Sequence, residues 1–317
     1  MKKMSNIYSG TDENVQKAAA VIKRGGLVAF PTETVYGLGA NVYNAEAVAA
    51  IFAAKQRPKF DPLISHIAEV DFLPQYAAVD ARVMELAKHF WPGPLTLVLN
   101  RIEENPCLDL ACSGLRTLTV RMPAHPLALK LIKASGVPIV APSANKYQSV
   151  SPTTAQHVAD GLGDKVDMIL DGGACQVGVE STIIDLTGRQ VVLLRAGGTA
   201  KEDIEAFLGE KISVPETTPT LPTAPGQMLR HYAPKNVLRI NVTAPEPDEF
   251  YIGFGQYDGD LNLSPSGDLK EAASRLFAYL RLADEKAVSG KIAVAPVPSV
   301  GLGLAINDRL NRASYRK

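Results

Sequence analysis

The chain has 317 residues, 46% hydrophobic and 21% charged, with Lys plus Arg equal to Asp plus Glu at 33 each. That length suits two domains and an ordinary soluble globular protein. Net neutrality excludes the global footprint of a dedicated nucleic-acid binder, while leaving room for a local basic patch.

No run of about 18 apolar residues occurs, so no membrane-spanning helix is expected. The N-terminal MKKMSNIYSGTDEN has lysines without an apolar core behind them, unlike a secretory signal. Cys107, Cys112 and Cys175 form no CxxC pair and lie far from most of the five histidines. The expectation is no zinc site and a reducing, cytoplasmic location.

Thr11 caps a predicted helix with Val15, Ala18, Ala19 and Ile22 on its apolar face, ended by Gly25–Gly26. Leu27–Phe30 then reads as a buried strand stopped by Pro31. The residues behind it, to Asn41, read as a loop with Thr32, Glu33, Thr34 and two glycines, composed to let a ligand approach the backbone. Asn44 caps a second helix that runs to Lys55. Pro58 pushes Arg57 into an extended conformation, so Lys55 and Arg57 can converge on one anion such as a triphosphate. A solvated helix end, favoured by the dipole, is the alternative reading of the pair.

Asp61–Ile67 reads as a strand with His66 near its end. Asp80 caps a helix broken by Trp91-Pro92-Gly93-Pro94, the tryptophan serving as a packing anchor, and strand Leu95–Leu99 follows. In Thr117–Met122 alternation puts Thr117, Thr119 and Arg121 on one face, where an arginine is ordinarily solvated. A helix over Leu127–Ala134 leads to strand Val137–Val140, which ends at a proline and delivers Ser143 and Asn145. This repeats the device at Phe30–Pro31, and ligand sites in mixed α/β folds gather at such strand ends. Ser151 to Thr154 start another helix. Ile183–Leu186 and Val191–Leu194 are strands, the second placing Arg195 at its end, and Thr199 caps a helix through Leu208.

From Ile212 to Lys235 prolines and threonines crowd without periodicity, as in a linker. Within it, GQMLRHY (226–232) is too rich in Met, Leu, Arg, His and Tyr for a tether and is expected to dock. Strands Val237–Ile240, Phe250–Phe254 and Ile292–Ala295, with helices over Leu269–Leu282 and Leu304–Arg312, predict a small parallel α/β domain. The expected division is therefore 1–211, a linker at 212–235, and 236–317. No GxxxxGK[ST] is present, and Gly253-Phe-Gly255 and Gly301-Leu-Gly303 read as turns.

The segments AFPTETVYGLGAN, KQRP, PLISHI, WPGPLTLVL, TVRMP, APSAN, VESTIIDL, LLRAG and PGQMLRHYAP together resemble the YrdC-type threonylcarbamoyl-AMP synthases in their long, two-domain form. The likeness runs in order over about residues 20–235, with Lys55, Arg57, Ser143 and Asn145 as its hallmark. GLGLAINDRLNRA (301–313) looks like the end of the long form. The resemblance implies a twisted mixed α/β sheet around a large basic-lined cavity, followed by a small Rossmann-like parallel α/β domain. It implies condensation of L-threonine, bicarbonate and ATP, with Mg2+, into threonylcarbamoyl-adenylate and pyrophosphate. A separate tRNA threonylcarbamoyl transferase would use the product beside the anticodon, and a weak contact with RNA is a further expectation.

Carried over by residue, the resemblance assigns Thr34, His66, Arg121 and Ser181 to threonine. It assigns Lys55, Arg57, Thr117, Ser143, Asn145, Ser151, Arg195 and Tyr232 to ATP, with Lys55 and Arg57 as the catalytic cations and residues 222–235 as a lid. Three positions depart from the family pattern: Gln56 where glycine is common, Lys59-Phe60-Asp61 where a more polar segment is usual, and Ser65 before His66. Glu33 has no role in this reading. The rivals are an RNA-binding or docking protein using the same basic cavity, which neutral charge disfavours, and a carbamoyl-adenylate-forming transferase of another pathway. The hydrogenase-maturation transferases of that second kind carry paired-cysteine zinc motifs that this sequence lacks.

Overall fold

The computed structural model describes residues 6–102, 109–215 and 223–315; Cys107 and positions 216–222 of the expected linker lie outside them. Ten strands form one sheet: β1 (Ile7–Ser9), β2 (Val28–Phe30), β3 (Gly37–Asn41), β4 (Ile64–His66), β5 (Leu95–Asn100), β6 (Thr117–Arg121), β7 (Ile139–Val140), β8 (Met168–Asp171), β9 (Thr182–Asp185) and β10 (Val192–Arg195). Their spatial order is β1-β8-β2-β3-β7-β4-β6-β5-β9-β10. Parallel pairs (β4 with β6, β5 with β9) alternate with antiparallel ones (β3 with β7, β5 with β6), which makes the sheet mixed.

The helices around it are α1 (Asp12–Lys23), α2 (Ala45–Lys55), α3 (Ala81–Phe90), α4 (Asp109–Cys112), α5 (Pro126–Ser135), α6 (Ala155–Leu162) and α7 (Lys201–Leu208). Their starts follow the capping chemistry. Thr11, Asn44 and Asp80 each accept from a backbone N–H three residues on. Thr199 does not cap α7: Ala200 holds that position, and the N–H of Thr199 donates to Thr182 Oγ1 at 3.1 Å, tying α7 to β9 instead.

Two other expectations need correction. The stretch behind Pro31 is not one loop, because Gly37–Asn41 forms β3 and pairs antiparallel with β2. Glycines fit that strand through close packing: a Cβ on Gly39 would lie 2.8 Å from both Ile139 and Phe30 side-chain atoms. The strand expected over Asp61–Ile67 shrinks to Ile64–His66, because the carbonyls of Asp61 and Pro62 serve Arg57 at 3.3 and 3.0 Å. Strands β1 and β8 appear where no strand was expected.

The second sheet comprises β11 (Val237–Arg239), β12 (Phe250–Gly253), β13 (Leu261–Asn262) and β14 (Lys291–Val294), in the order β11-β14-β12-β13 and parallel throughout. Helices α8 (Leu269–Lys286) and α9 (Leu302–Ser314) complete it. Its apolar core is continuous with the first unit, for Val35, Val150, Val179 and Tyr232 pack among Phe277, Leu280 and Ile306. Arg281 of α8 donates to the carbonyls of Val150 and Ser151. Among the described residues no helix is long and apolar enough to cross a membrane.

Candidate active site

A cavity of about 50 Å³ lies against the middle of the large sheet. Its floor follows from strand geometry. Ile64 and His66, two residues apart on β4, share a face, and His66 stands in register with Arg121 on the parallel β6. Residues after β2 and β7 form one wall, Thr32, Thr34 and Val35 with Ala141 to Ser143. Glu180, Ser181 and Arg195 form the other, and Pro225, Gly226, His231 and Tyr232 cover it.

The turn after β2 is built by Thr32, whose Oγ1 donates to Val35 O at 2.6 Å and accepts from the N–H groups of Thr34 and Val35, both at 3.2 Å. This holds Thr34 and Glu33 toward Arg121. The guanidinium donates to Thr34 Oγ1 (3.0 Å), Glu33 Oε1 (2.6 Å) and Gly93 O (3.1 Å), and all these side chains are buried. Glu33 thus acquires a role that the sequence did not disclose: it compensates a buried arginine on the cavity wall. The His66 imidazole is pulled down to about 3 by burial first and the Arg121 charge second, so it is neutral at physiological pH. Its Nδ1 lies 3.1 Å from Ile64 O, and a backbone contact with Ile139 also acts on the ring.

On the other wall Arg195 Nε and Nη2 both donate to Ser181 O (3.1 and 2.9 Å). Nη2 also reaches Ser181 Oγ (3.1 Å), and Nη1 donates to Pro225 O (3.1 Å). One guanidinium therefore joins the start of β9 to the covering segment. Ser181 Oγ is 2.7 Å from Thr96 Oγ1.

The two hallmark cations part company. Arg57 lines the cavity, paired with Asp61 at 2.8 Å and set over the Tyr147 ring at 5.8 Å. Lys55 is fully buried off the cavity wall, and its ammonium donates to the carbonyls of Ser143 and Asn145. Burial first, then the Arg57 charge, holds the lysine well below its usual value. Lys55 thus clamps the loop after β7, and through it Ser143, which lines the cavity. The divergence follows from Gln56, the αL cap of α2 with φ 55, which turns the chain between them.

Three further expected ATP residues lie off the cavity wall. Asn145 turns its amide into its own loop, donating to Lys146 O (2.9 Å) and Ser149 O (2.8 Å). Ser151 donates to Glu180 Oε1 at 2.6 Å, behind the wall. Thr117 sits at the far end of β6 from Arg121, opposite Asn100. Tyr232 is buried on the wall, its phenol raised to about 12 by burial. His231 also lines the cavity and is held well below its usual value, by burial and then by Arg57 and Lys55.

A family model for the Sua5, YciO and YrdC proteins, described as telomere recombination, matches residues 20–197. A second model, described as the C-terminal domain of threonylcarbamoyl-AMP synthase, matches residues 199–314. The threonylcarbamoyl-AMP synthase of Pyrococcus abyssi is 45% identical over 95% of this chain and 94% of its own. The chain belongs to the threonylcarbamoyl-AMP synthase family. The Bacillus subtilis member is 41% identical over 96% of this chain and 94% of its own. The crystal structure of P. abyssi Sua5 complexed with L-threonine superposes with a TM-score of 0.89 at 41% identity, covering 97% of each chain.

Family membership leaves residues that sequence reading did not single out. Glu180, the carboxylate on the cavity wall, stands next to Ser181 in the VEST segment. Arg309 had a legible signal: it falls on the apolar stripe Leu302, Ile306 and Ala313 of α9, where a charge needs a buried partner.

Proposed function

We propose that this cavity makes threonylcarbamoyl-AMP from L-threonine, bicarbonate and ATP, with release of pyrophosphate. The observation that supports this reading best is that Arg57, Arg121 and Arg195, all buried, face one cavity whose described wall carries a single carboxylate, Glu180. Arg57 and Arg121 are each paired with a buried carboxylate, Asp61 and Glu33, so they act through their remaining N–H groups, and in low dielectric such contacts to phosphate and carboxylate groups are far stronger than in water.

Threonine binds at the end formed by Thr34, His66, Arg121 and Ser181. Arg121 has N–H groups left after serving Glu33, Thr34 and Gly93, and these take the carboxylate. Neutral His66 faces the ammonium or the hydroxyl. ATP lies toward Arg57, Ser143, Arg195 and Tyr232. Lys55, Asn145, Ser151 and Thr117 act on it through the loops and strand that carry them. The threonine amine joins the bicarbonate carbon with loss of water, and an oxygen of the resulting carbamate attacks the α-phosphorus, expelling pyrophosphate. Positioning and charge stabilisation carry the catalysis.

Among the described residues no group of three or more His, Cys, Asp or Glu can hold a metal ion. Glu180 already accepts from Ser151 and Arg309. Mg2+ therefore enters as the partner of the ATP phosphates, whose charge it neutralises. We assign catalysis to residues 1–211 and a lid function to 212–235, with Tyr232 excluding water from the reactive adenylate. Residues 236–317 form the accessory unit. The product serves a cytoplasmic tRNA-modifying transferase.

Mass spectrometry of the reaction with 13C-labelled bicarbonate tests the reading. An adenylate carrying both threonine and the label is expected; AMP alone in the presence of all three substrates would contradict it. Deleting residues 222–235 is expected to lower the rate and the ATP affinity, and an unchanged pair of values would remove the lid.

A further inference from the structure

Helix α9 belongs to the C-terminal unit, yet its largest buried side chain points into the wall of the first unit. Arg309 is 0% exposed. Its Nε donates to Glu180 Oε2 at 2.9 Å and its Nη1 to Ala196 O at 2.9 Å. The guanidinium lies over the Tyr232 ring, 5.2 Å from the centroid. Asp308 holds the same guanidinium at 2.7 Å and reaches Arg312, which donates to Met228 O in the covering segment at 2.6 Å. Glu180 and Tyr232 both line the cavity.

Two features show that these contacts set the cavity rather than fill a gap beside it. Tyr232 has φ 59, a left-handed conformation that costs a bulky residue energy and persists only where its surroundings impose it. Its ring is held by the Arg309 guanidinium and by the Phe277 ring stacked at 5.5 Å, both from the C-terminal unit, while the next residue's N–H, that of Ala233, donates to Gln148 O of the first unit at 2.8 Å. Glu180 is a carboxylate among cavity cations, and each of its oxygens is fixed by a donor, Ser151 on one and Arg309 on the other. Without Arg309 the carboxylate is free to pair with Arg57 or Arg195, the groups that an incoming polyphosphate needs.

We propose that Arg309 is a positioning residue of the ATP half of the cavity. By holding Glu180 away from the cavity arginines and Tyr232 against the covering segment, it makes ATP binding depend on the seating of the C-terminal unit. The proposal rests on the functional reading above and assigns that unit a part in it.

The test uses the full chain with Arg309→Lys, Arg309→Met and Glu180→Gln. Lysine keeps a buried cation but cannot serve Glu180 and Ala196 together with a fork. Calorimetric ATP affinity without threonine is expected to fall roughly tenfold in Arg309→Met and several-fold in Arg309→Lys, with threonine affinity changed less than about twofold. Glu180→Gln should move ATP affinity too, and Glu180→Gln with Arg309→Lys should lose less than the product of the single effects, because both report one contact. Wild-type ATP affinity in Arg309→Lys would overturn the proposal, whether or not Arg309→Met folds. So would losses in ATP and threonine affinity that fall together with the melting temperature. If the wild-type chain binds ATP yet makes no threonylcarbamoyl-adenylate, the functional reading fails, and the ATP-binding comparison still judges Arg309.

Discussion

Glu33 and Arg121, 88 residues apart in sequence, meet at 2.6 Å beneath the cavity, each almost wholly buried. The pair joins the turn after β2 to the end of β6, and Thr34 is caught between them. A buried arginine without its carboxylate is an uncompensated charge. Glu33→Gln keeps the shape and removes the charge, so it is expected to cost about 1–3 kcal/mol of stability. It should raise the KM for threonine roughly tenfold, the equivalent of about 1.4 kcal/mol of binding, and leave that for ATP nearly unchanged. Urea unfolding and initial-rate kinetics check both. A rise confined to ATP would reassign Arg121.

His66 makes stability depend on pH. Its folded value of about 3 lies below the ordinary 6.5, so between those limits the unfolded chain binds the proton and the folded chain does not. Stability therefore rises with pH through that window and is lost as pH falls, by about 1.4 kcal/mol per pH unit at most for this one group. Burial holds His231 down as well, with the same sign. Unfolding free energies at a series of pH values from 6.5 to 4 should slope less steeply in His66→Gln by up to that amount, and an identical slope would show that His66 is charged in the folded state.

Gln56 occupies a left-handed position with φ 55 at the end of α2. Glycine escapes the Cβ penalty there, so Gln56→Gly is expected to stabilise the chain by up to about 1 kcal/mol. A higher midpoint in thermal unfolding with unchanged kinetics is the expected outcome. This position is also where the sequence departs from its family pattern, and the backbone supplies the reason why glycine is common there.

Gly178 and Gly173 both have positive φ, 74 and 81, but only Gly178 touches the second unit. A Cβ on Gly178 would lie 2.4 Å from Ser274 Cα and 2.5 Å from Ala273 O, backbone atoms of α8, whereas one on Gly173 meets nothing within 4 Å. Gly173→Ala should cost only the backbone strain, about 1–2 kcal/mol. Gly178→Ala adds overpacking of about 1–3 kcal/mol and should weaken ATP binding as α8 is pushed away. Equal effects on ATP binding from the two substitutions would deny that this seam matters to the site.

Much of the fold was legible because it rests on local chemistry: the caps at Thr11, Asn44 and Asp80, the apolar run Leu27–Phe30, and the docking of GQMLRHY. Strand β3 was hidden because Gly37 and Gly39 signal a permissive loop, while here they answer to the close approach of Phe30, Ile139 and Ala141. Of the expected site residues, Thr34, Arg57, His66, Arg121, Ser143, Ser181, Arg195 and Tyr232 line one cavity, while Lys55, Thr117, Asn145 and Ser151 do not. Sequence placed Lys55 and Arg57 at one anion, but the carbonyls of Ser143 and Asn145, about 90 residues on, take the lysine. Glu33 and Glu180 were opaque for the same reason, since the partners Arg121 and Arg309 lie 88 and 129 residues away.

The most direct measurement of the central claim is pyrophosphate release by the purified chain from ATP with Mg2+, L-threonine and bicarbonate, omitting each in turn. Release that requires both threonine and bicarbonate, and that falls sharply in Arg57→Ala, is the predicted result. Release that persists without threonine, or an Arg57→Ala variant with full activity, would contradict the account.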